Sequence, residues 1–195
     1  GYNYSREPVA SNPRWKPADI SLHGHFPFGN LFEGNIVQRI HVADYWGPAG
    51  PGNVFLRNAV EGSGITVGDH SHGQVLLGNL LLDHRGNEIK IESNVKGTLL
   101  RGNRIGDNVV EDSTAAKGTI PESLYRSKRP PFFGVATWPS IGGECGSFRA
   151  NPRARRTAGV AAQAASEVPV PQRPSFCGLQ RVDLLDITVR GGLAV

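Results

Sequence analysis

The segment Asn30-Leu-Phe-Glu-Gly-Asn35-Ile-Val37 has a pattern that returns three times along the chain. The later copies are Asn53-Val-Phe-Leu-Arg-Asn58-Ala-Val60, Gln74-Val-Leu-Leu-Gly-Asn79-Leu-Leu81 and Thr98-Leu-Leu-Arg-Gly-Asn103-Arg-Ile105. The asparagines at the sixth position of each copy are 23, 21 and 24 residues apart. A repeat of this length predicts a solenoid in which each copy belongs to about one turn of a three-sided coil.

The apolar positions of the repeat are expected to face the interior. They lie three residues before each asparagine and two residues after it, at Phe32, Phe55, Leu76, Leu100 and at Val37, Val60, Leu81, Ile105. Successive side chains of a strand point to opposite faces, so this spacing sends them to one side. The asparagines are predicted to form a ladder, since a buried amide is tolerated only when it is hydrogen-bonded to its neighbours.

A second strand is predicted in each coil, at residues 20–22, 40–42, 65–67 and 89–91. Its inward side chains are Leu22, Val42, Val67 and Ile91, and the residues between the apolar positions, Ser21, His41, Thr66 and Lys90, point outward. The unequal lengths of the coils are assigned to two Gly-containing loops, 61–64 and 83–88, because a surface loop can lengthen without disturbing the stack.

These motifs carry a resemblance to a known superfamily. Residues 19–25, the first two repeats and Asp44-Tyr-Trp-Gly47 resemble secreted bacterial proteins of the pectin-lyase-like superfamily. Residues 121–125, 130–134 and 138–142 are similar to the segment that closes such proteins after their last coil. The resemblance implies an all-β, right-handed parallel β-helix of about four coils that is secreted or displayed on the cell surface. It is silent on activity, because the superfamily contains lyases, hydrolases, esterases and non-catalytic proteins.

The chain is predicted to divide into three regions. Residues 1–118 are the β-helix coils, and residues 119–142 are an aromatic and Pro-rich segment that caps the apolar interior at the C-terminal end. Within the cap, Phe132, Phe133 and Trp138 also suit a platform for sugar rings. Residues 143–195 are a basic, low-complexity tail for which we expect disorder. Cys145 and Cys177 match no zinc or redox spacing, which leaves a disulfide within the tail or two free thiols as alternatives.

Composition and charge exclude several function classes. The 25 Gly and 14 Pro among 195 residues favour a turn-rich, strand-built protein. The net charge of +4 arises after Phe148, where seven Arg face three acidic residues, and such a basic tail argues against a nucleic-acid site. No run approaches the roughly 18 to 20 apolar residues that span a bilayer. Because the chain contains no Met and no evident N-terminal cap, we expect a C-terminal fragment whose earlier coils and export signal lie upstream.

Stacking the second strands predicts a cluster of reactive side chains at their ends. Asp44 and Asp69 fall in one column, with His25, Tyr45 and His70 in the next. Adjacent coils lie about 4.8 Å apart, so the two carboxylates are expected to share a Ca²⁺ ion or to act as acid and base. The predicted catalytic residues are Asp44, Asp69 and His70. The predicted sugar contacts are His23, His25, His41, Tyr45, Trp46 and His72.

Two hypotheses about function follow from this cluster. The first is a polysaccharide lyase or hydrolase, although the catalytic sets of the superfamily are not reproduced here. The second is a non-catalytic glycan-binding or adhesion module. For Asp44 and Asp69 the simpler alternative is a structural role, with each carboxylate bonded to turn amides. A zinc site at His70 and His72 is disfavoured, since zinc usually takes three or four protein ligands. The pattern says nothing about oligomeric state.

Overall fold

The computed structural model describes residues 1–12, 14–43, 46–112 and 118–142. Asp44, Tyr45 and the tail 143–195, which contains both cysteines, lie outside the described residues. In the described ranges the protein is all-β, with eleven strands and one short 3-10 turn at Pro131–Phe133. No helix in these ranges is long and apolar enough to cross a membrane.

The strands stack into a parallel β-solenoid of about four turns that is built from two sheets. The first sheet has the order β1-β3-β5-β7-β10-β11, with β8 also pairing with β5, and the second has the order β2-β4-β6-β9. Only β10 and β11 pair antiparallel among these strands. Their bounds are β1 Ile20–Leu22, β2 Leu31–Glu33, β3 Ile36–Val42, β4 Val54–Leu56, β5 Ala59–Val67, β6 Val75–Leu77, β7 Leu80–Leu81, β8 Ile89–Ile91, β9 Leu99–Arg101, β10 Asn103–Ile105 and β11 Asn108–Val110.

The predicted interior and register are confirmed. Leu22, Val42, Val67 and Ile91 lie opposite one another in successive strands. Phe55, Val60, Leu76 and Leu81 are completely buried in the core between the two sheets. The ring of Phe32 stacks on that of Phe55 with centroids 5.2 Å apart. Stacking of the coils in register therefore brings equivalent side chains of neighbouring repeats into direct contact.

The predicted asparagine ladder is also confirmed. The backbone N–H and Nδ2 of Asn58 both donate to Oδ1 of Asn79 at 3.0 Å, and Nδ2 also donates to the Phe32 carbonyl at 2.9 Å. Asn35 donates to Asn58, and Asn79 donates to Asn103, in the same way. Because every amide in the middle of the ladder is paired, these polar groups remain buried without an unsatisfied donor.

The structure adds hydrogen-bonded rungs that the sequence interpretation did not include. Asn3 donates through its N–H and Nδ2 to Oδ1 of Asn35, at 3.1 and 3.2 Å. A second ladder runs through the polar first position of the repeat, where Asn30 donates to Asn53 at 2.9 Å and Asn53 donates to Gln74 at 3.0 Å. Each strand of the second sheet, from β2 to β6, therefore begins and ends at an amide rung.

Two of the predicted elements differ from the structure. Residues 61–64 are not a loop, because they lie inside the continuous strand β5, and a register shift opposite Val37 and Arg39 absorbs the extra residues. The predicted first and second strands of a coil consequently merge in β3 and β5, which leaves two sheets rather than three separate sides. Residues 83–88 do lie in an irregular connection, as predicted.

The predicted cap lies along the flank of the solenoid. We call residues 118–142 the strap. Ile120 contacts Gly78 and Gly102 near the last coil, and Ile141 packs with Ile36, Ala59 and Leu80 outside the main core. Further along, Leu124 donates its N–H to the Glu33 carboxylate of the first complete coil at 2.9 Å. These contacts run lengthwise, which differs from the predicted position over the open end. At that end β11 pairs with β10 instead.

Candidate functional site

Four stacked connections lead from the first sheet to the second, and we call them the loop edge. Backbone hydrogen bonds join each connection to the next: Gly29 N–H to Pro51 O at 3.2 Å, Gly52 N–H to Gly73 O at 2.8 Å, and Gly73 N–H to Lys96 O at 3.0 Å. Because each connection is bonded to its neighbour, the loop edge is a continuous surface with a period of about 4.8 Å. Its residues are 23–30, 46–53, 68–74 and 92–98.

Six of the nine side chains predicted from the sequence lie on the loop edge. They are His23, His25, Trp46, Asp69, His70 and His72. His41 lies nearby in β3, where it is half-buried beside Ser21 and Thr66 of the neighbouring strands. The remaining two, Asp44 and Tyr45, lie outside the described residues. The close approach predicted for Asp44 and Asp69 therefore stays a prediction.

The backbone of the loop edge contains two pairs of non-glycine residues in the left-handed region. His25 and Phe26 have φ of 57° and 60°, and Asp69 and His70 have φ of 46° and 57°. A left-handed conformation is costly for residues with a Cβ atom, and it persists only where surrounding structure imposes it. Such strain tends to cluster at functional sites, so it marks these two steps of the loop edge as candidates.

Three aromatic side chains on the loop edge are largely open to solvent. Phe26, Phe28 and Trp46 expose 56%, 69% and 63% of their surface. The Phe26 ring lies against Gly50, and the Gly50 N–H donates to the Pro27 carbonyl at 3.0 Å, so the first two connections, which carry these three rings, are in direct contact. Phe26 and Phe28 were missed from the sequence, where the only signal was two aromatic residues flanking Pro27.

Polar groups lie beside the aromatic ones in the third and fourth connections. The Asp69 N–H donates to Oε2 of Glu92 at 3.2 Å, which places a second carboxylate next to Asp69. His72 accepts the Lys96 N–H at its Nδ1 atom at 3.1 Å, so its proton is on Nε2 when the ring is neutral. The His70 and His72 rings meet edge to face, with centroids 6.1 Å apart. Glu92 was missed because its side chain reaches across a coil boundary.

The described residues hold no group of three or more His, Cys, Asp or Glu side chains arranged to bind a metal ion. His70 and His72 by themselves fall short of the three or four ligands that zinc takes in proteins. The predicted Ca²⁺ site needs Asp44, which is outside the described ranges, and it stays a prediction. The carboxylates of Asp69 and Glu92 remain available to accept hydrogen bonds from a ligand's hydroxyl groups.

A second polar cluster joins the strap to the first complete coil. The buried Glu33 carboxylate accepts hydrogen bonds from the Tyr2 and Ser123 hydroxyls at 2.7 and 2.6 Å, and Trp138 Nε1 donates to the Tyr2 oxygen at 3.1 Å. Burial, followed by the hydrogen bond to Glu33, raises the pKa of Tyr2 to about 12. Phe133 packs edge-on against the Tyr2 ring at 5.6 Å. Because these groups are hydrogen-bonded to one another and join the strap to the first complete coil, the cluster has a structural role.

Arg57 provides the other attachment of the strap. Its guanidinium donates to the Pro121 and Ile120 carbonyls at 2.8 and 2.9 Å, at the start of the strap. It also donates to the Ile141 carbonyl at 3.3 Å and to the Gly142 carbonyl, at the end of the strap. One buried side chain therefore holds together both ends of a 25-residue loop, residues 118–142. The repeat pattern could not predict these contacts, because they join residues that are 63 to 85 positions apart and only one of the partners belongs to a repeat.

Comparisons with protein-family models, with curated proteins and with solved structures gave no match. The chemistry that the loop edge could perform is therefore judged from its own residues. They provide three exposed aromatic rings and the carboxylates of Asp69 and Glu92, and four of its non-glycine residues have a left-handed backbone.

Proposed function

We propose that the protein binds a polysaccharide along the loop edge and acts outside the cell or at its surface. The observation that carries this proposal is the exposure of Phe26, Phe28 and Trp46 on one hydrogen-bonded edge. Aromatic faces pack on the C–H faces of sugar rings and exclude water from them. A group of exposed apolar side chains is unfavourable in a monomer unless it serves recognition, whereas scattered ones need no explanation.

The polar groups of the loop edge support a ligand that is a polymer. His25 and His70 occupy equivalent positions two coils apart, which corresponds to about 10 Å at a strand spacing of about 4.8 Å. Imidazole and carboxylate groups form hydrogen bonds with hydroxyl groups, and Asp69 and Glu92 supply two acceptors between them. A surface that repeats along the solenoid axis suits a chain of repeating units better than a compact small molecule. The resemblance to the secreted pectin-lyase-like superfamily points to the same class of ligand.

A second candidate function is cleavage of the same polymer by a lyase or hydrolase of the pectin-lyase-like type. It is favoured by the Asp69-His70 step, where two strained residues stand next to the Glu92 carboxylate. In this version Asp69 acts with Asp44 as acid and base, or binds Ca²⁺ with it, and His70 assists the proton transfer. Tyr45, His23, His41 and His72 would then contact the sugar rings around the cleaved bond.

Binding is tested by affinity electrophoresis and calorimetry of the full chain against neutral and acidic polysaccharides, with and without Ca²⁺. The triple variant Phe26→Ala, Phe28→Ala, Trp46→Ala is expected to weaken binding by roughly tenfold or more, about 1.4 kcal/mol. The matched control is Leu124→Ala with Tyr125→Ala, which removes similarly exposed side chains, 53% and 65% exposed, from the strap. If the triple variant kept full affinity, the proposal that these three aromatic rings contact the polysaccharide would be wrong.

The two candidates are separated by product analysis in the same samples. New reducing ends identify a hydrolase, and unsaturated ends identify a lyase. Asp69→Asn keeps the size of the side chain but removes its charge, so the enzyme hypothesis expects lost turnover with retained binding. Binding by the wild-type chain with no product from any polysaccharide would leave the non-catalytic module as the function.

A further inference from the structure

The tip of the strap is the longest unbroken run of exposed residues in the part of the chain that the structure describes, and it contains three basic residues. Residues 124–129, Leu-Tyr-Arg-Ser-Lys-Arg, are all exposed and belong to no helix or strand. The Tyr125 and Arg126 N–H groups donate to Ser123 Oγ at 2.9 and 2.7 Å. Beyond them, the backbone of Ser127, Lys128 and Arg129 forms no hydrogen bond with the part of the chain that the structure describes.

The strap is firmly held on both sides of this tip. Before it, the Ser123 hydroxyl and the Leu124 N–H donate to the buried Glu33 carboxylate. After it, Pro130 is buried and the turn Pro131–Phe133 places Phe133, which is only 2% exposed, against Tyr2. The unsupported stretch is therefore short and its ends are fixed, so it projects from the surface as an exposed bend.

We propose that this tip is a site of limited proteolysis by trypsin-like endopeptidases, which cleave after Arg126 and after Lys128. Exposed loop tips without backbone pairing are the preferred sites of nicking, because the substrate must lie extended along the protease. An acidic specificity pocket accepts the Arg or Lys side chain. Water adds across the peptide bond, leaving a carboxylate on Arg126 or Lys128 and a new amino group on Ser127 or Arg129. The bond after Arg129 is protected, since Pro130 has no N–H.

Three other basic residues of the irregular segments, Arg85, Arg14 and Lys16, are less suited to cleavage. Arg85 lies in a turn closed by the Asn87 N–H bond to His84 O at 3.1 Å. The Arg14 N–H donates to Asn12 Oδ1 at 3.0 Å, which holds that segment in a compact turn. Lys16 is followed by Pro17, which removes the N–H on the far side of the bond. Cleavage at these places requires local unfolding, whereas the strap tip is already open.

The contacts on either side of the tip predict that the nicked protein stays assembled. Arg57 donates to the Ile120 and Pro121 carbonyls before the cut and to the Ile141 carbonyl after it. Ile141 is also buried against Ile36 of the solenoid. Cleavage therefore breaks the covalent continuity of the strap and leaves both halves docked on the flank.

Limited digestion of the full chain with trypsin, followed by intact mass analysis and N-terminal sequencing, tests the proposal. Within the described ranges, the first new N-termini are expected at Ser127 and Arg129, and the two fragments are expected to co-elute in native size exclusion but to separate in denaturant. Cuts within residues 143–195 are recognised by their masses and counted apart. A first cut elsewhere in the described ranges would overturn the proposed site.

Variants distinguish the tip from a general susceptibility to protease. Arg126→Gln with Lys128→Gln is expected to abolish the cut without changing the melting temperature, because both side chains are exposed. Arg85→Gln is the matched control and is expected to be cut at the strap like the wild type. Unchanged cleavage of the double variant in the strap would refute the assignment. Separation of the nicked fragments under native conditions would overturn the predicted assembly.

Discussion

Two regions lie at opposite ends of the strands of the second sheet: the loop edge before each strand, and a turn of one residue after it, which we call the tight corner. Both regions contain non-Gly residues with a left-handed backbone. The tight corner consists of Gly34, Arg57, Gly78 and Gly102, with φ between 51° and 65°. Three of its four positions carry the residue that adopts this conformation most easily. Its exception, Arg57, is buried and bonded to four carbonyls. On the loop edge, the strained His25 and Phe26 are exposed.

The difference shows how a solenoid separates stability from recognition. At the tight corner the conformational cost of Arg57 is offset by hydrogen bonds that attach the strap, so the strain has a structural reason. At the loop edge the strained side chains face solvent, and no comparable burial compensates for their backbone conformation. Substitutions at the two places should therefore change stability and ligand binding in opposite ways.

The largest effect on stability is expected in the ladder of Asn35, Asn58, Asn79 and Asn103, which directly follow the residues of the tight corner. Asn58→Ala leaves the donors of Asn35, the Phe32 carbonyl and Oδ1 of Asn79 with fewer partners in a buried site. Each buried group without a partner costs about 1 to 3 kcal/mol, so we expect a total loss of about 3 kcal/mol in the free energy of unfolding. A denaturant titration measures the loss. Asn30→Ala, at the exposed end of the other ladder, is the control and should cost less than about 1 kcal/mol.

A smaller effect is expected when the strap loses its attachment. Arg57→Gly removes the hydrogen bonds to four carbonyls but relieves the left-handed backbone, which is worth about 1 kcal/mol. Each hydrogen bond from a charged group contributes about 1.5 to 3 kcal/mol, but water hydrates the four carbonyls once the strap detaches, so these losses do not add in full. We therefore expect a net loss of about 1 to 2 kcal/mol. Thermal unfolding and hydrogen exchange of residues 118–142 measure it. The control Arg126→Ala removes an exposed Arg, and equal stability of the two variants would contradict the role of Arg57.

Alkaline pH is expected to weaken the contact between the strap and the first complete coil. Because burial and Glu33 raise the pKa of Tyr2 to about 12, the folded state holds the phenol proton more tightly than the unfolded state, whose pKa is about 10. The contribution to stability is fully present below about pH 10 and is lost as pH rises towards 12. Tyr2→Phe should remove this part of the pH dependence in unfolding titrations. Tyr125→Phe, at an exposed ring, should leave it in place.

The smallest change in the free energy of unfolding is expected at the loop edge, where a substitution should raise stability rather than lower it. Asp69→Gly relieves a left-handed backbone without breaking the N–H bond to Glu92, so stability should rise by about 0.5 to 1 kcal/mol. The same variant should lose affinity for the polysaccharide if Asp69 contacts it. Calorimetry measures the affinity for the polysaccharide, and a denaturant titration measures the free energy of unfolding. If Asp69→Gly lost as much stability as Arg57→Gly, the proposed difference between a stabilising tight corner and a non-stabilising loop edge would be wrong.

The repeat, the inward side chains and the asparagine ladder could be predicted because they depend on local periodicity. Alternation with a period of two decides which face each residue takes, and an interval of 21 to 24 residues brings equivalent positions into register. Asn3 was not predicted as part of the ladder, because it lies 32 residues before Asn35 and this separation is longer than the repeat interval. The extra residues at 61–64 were assigned to a loop, since a Gly-rich insertion looks the same whether it forms a bulge or a turn.

The candidate site was predictable in part for the same reason. His25, Asp69 and His70 were found because they follow the second strand in equivalent positions of the repeat. Phe26 and Phe28 were missed, since whether an aromatic residue next to Pro27 is buried or exposed depends on the neighbouring coil. Glu92 was missed because its carboxylate reaches the Asp69 N–H of the preceding coil, 23 residues away.

The parallel solenoid, with a paired amide in each complete turn, follows from the amino-acid sequence, because both features repeat at intervals that can be read directly from the chain. The position of the strap and the exposure of the aromatic rings follow from tertiary contacts instead. The strap depends on contacts such as Ser123 with Glu33 and Trp138 with Tyr2, across 90 and 136 residues that occur once each and follow no period. Such single contacts become visible only after the coils have stacked and presented a flank on which a later segment can pack.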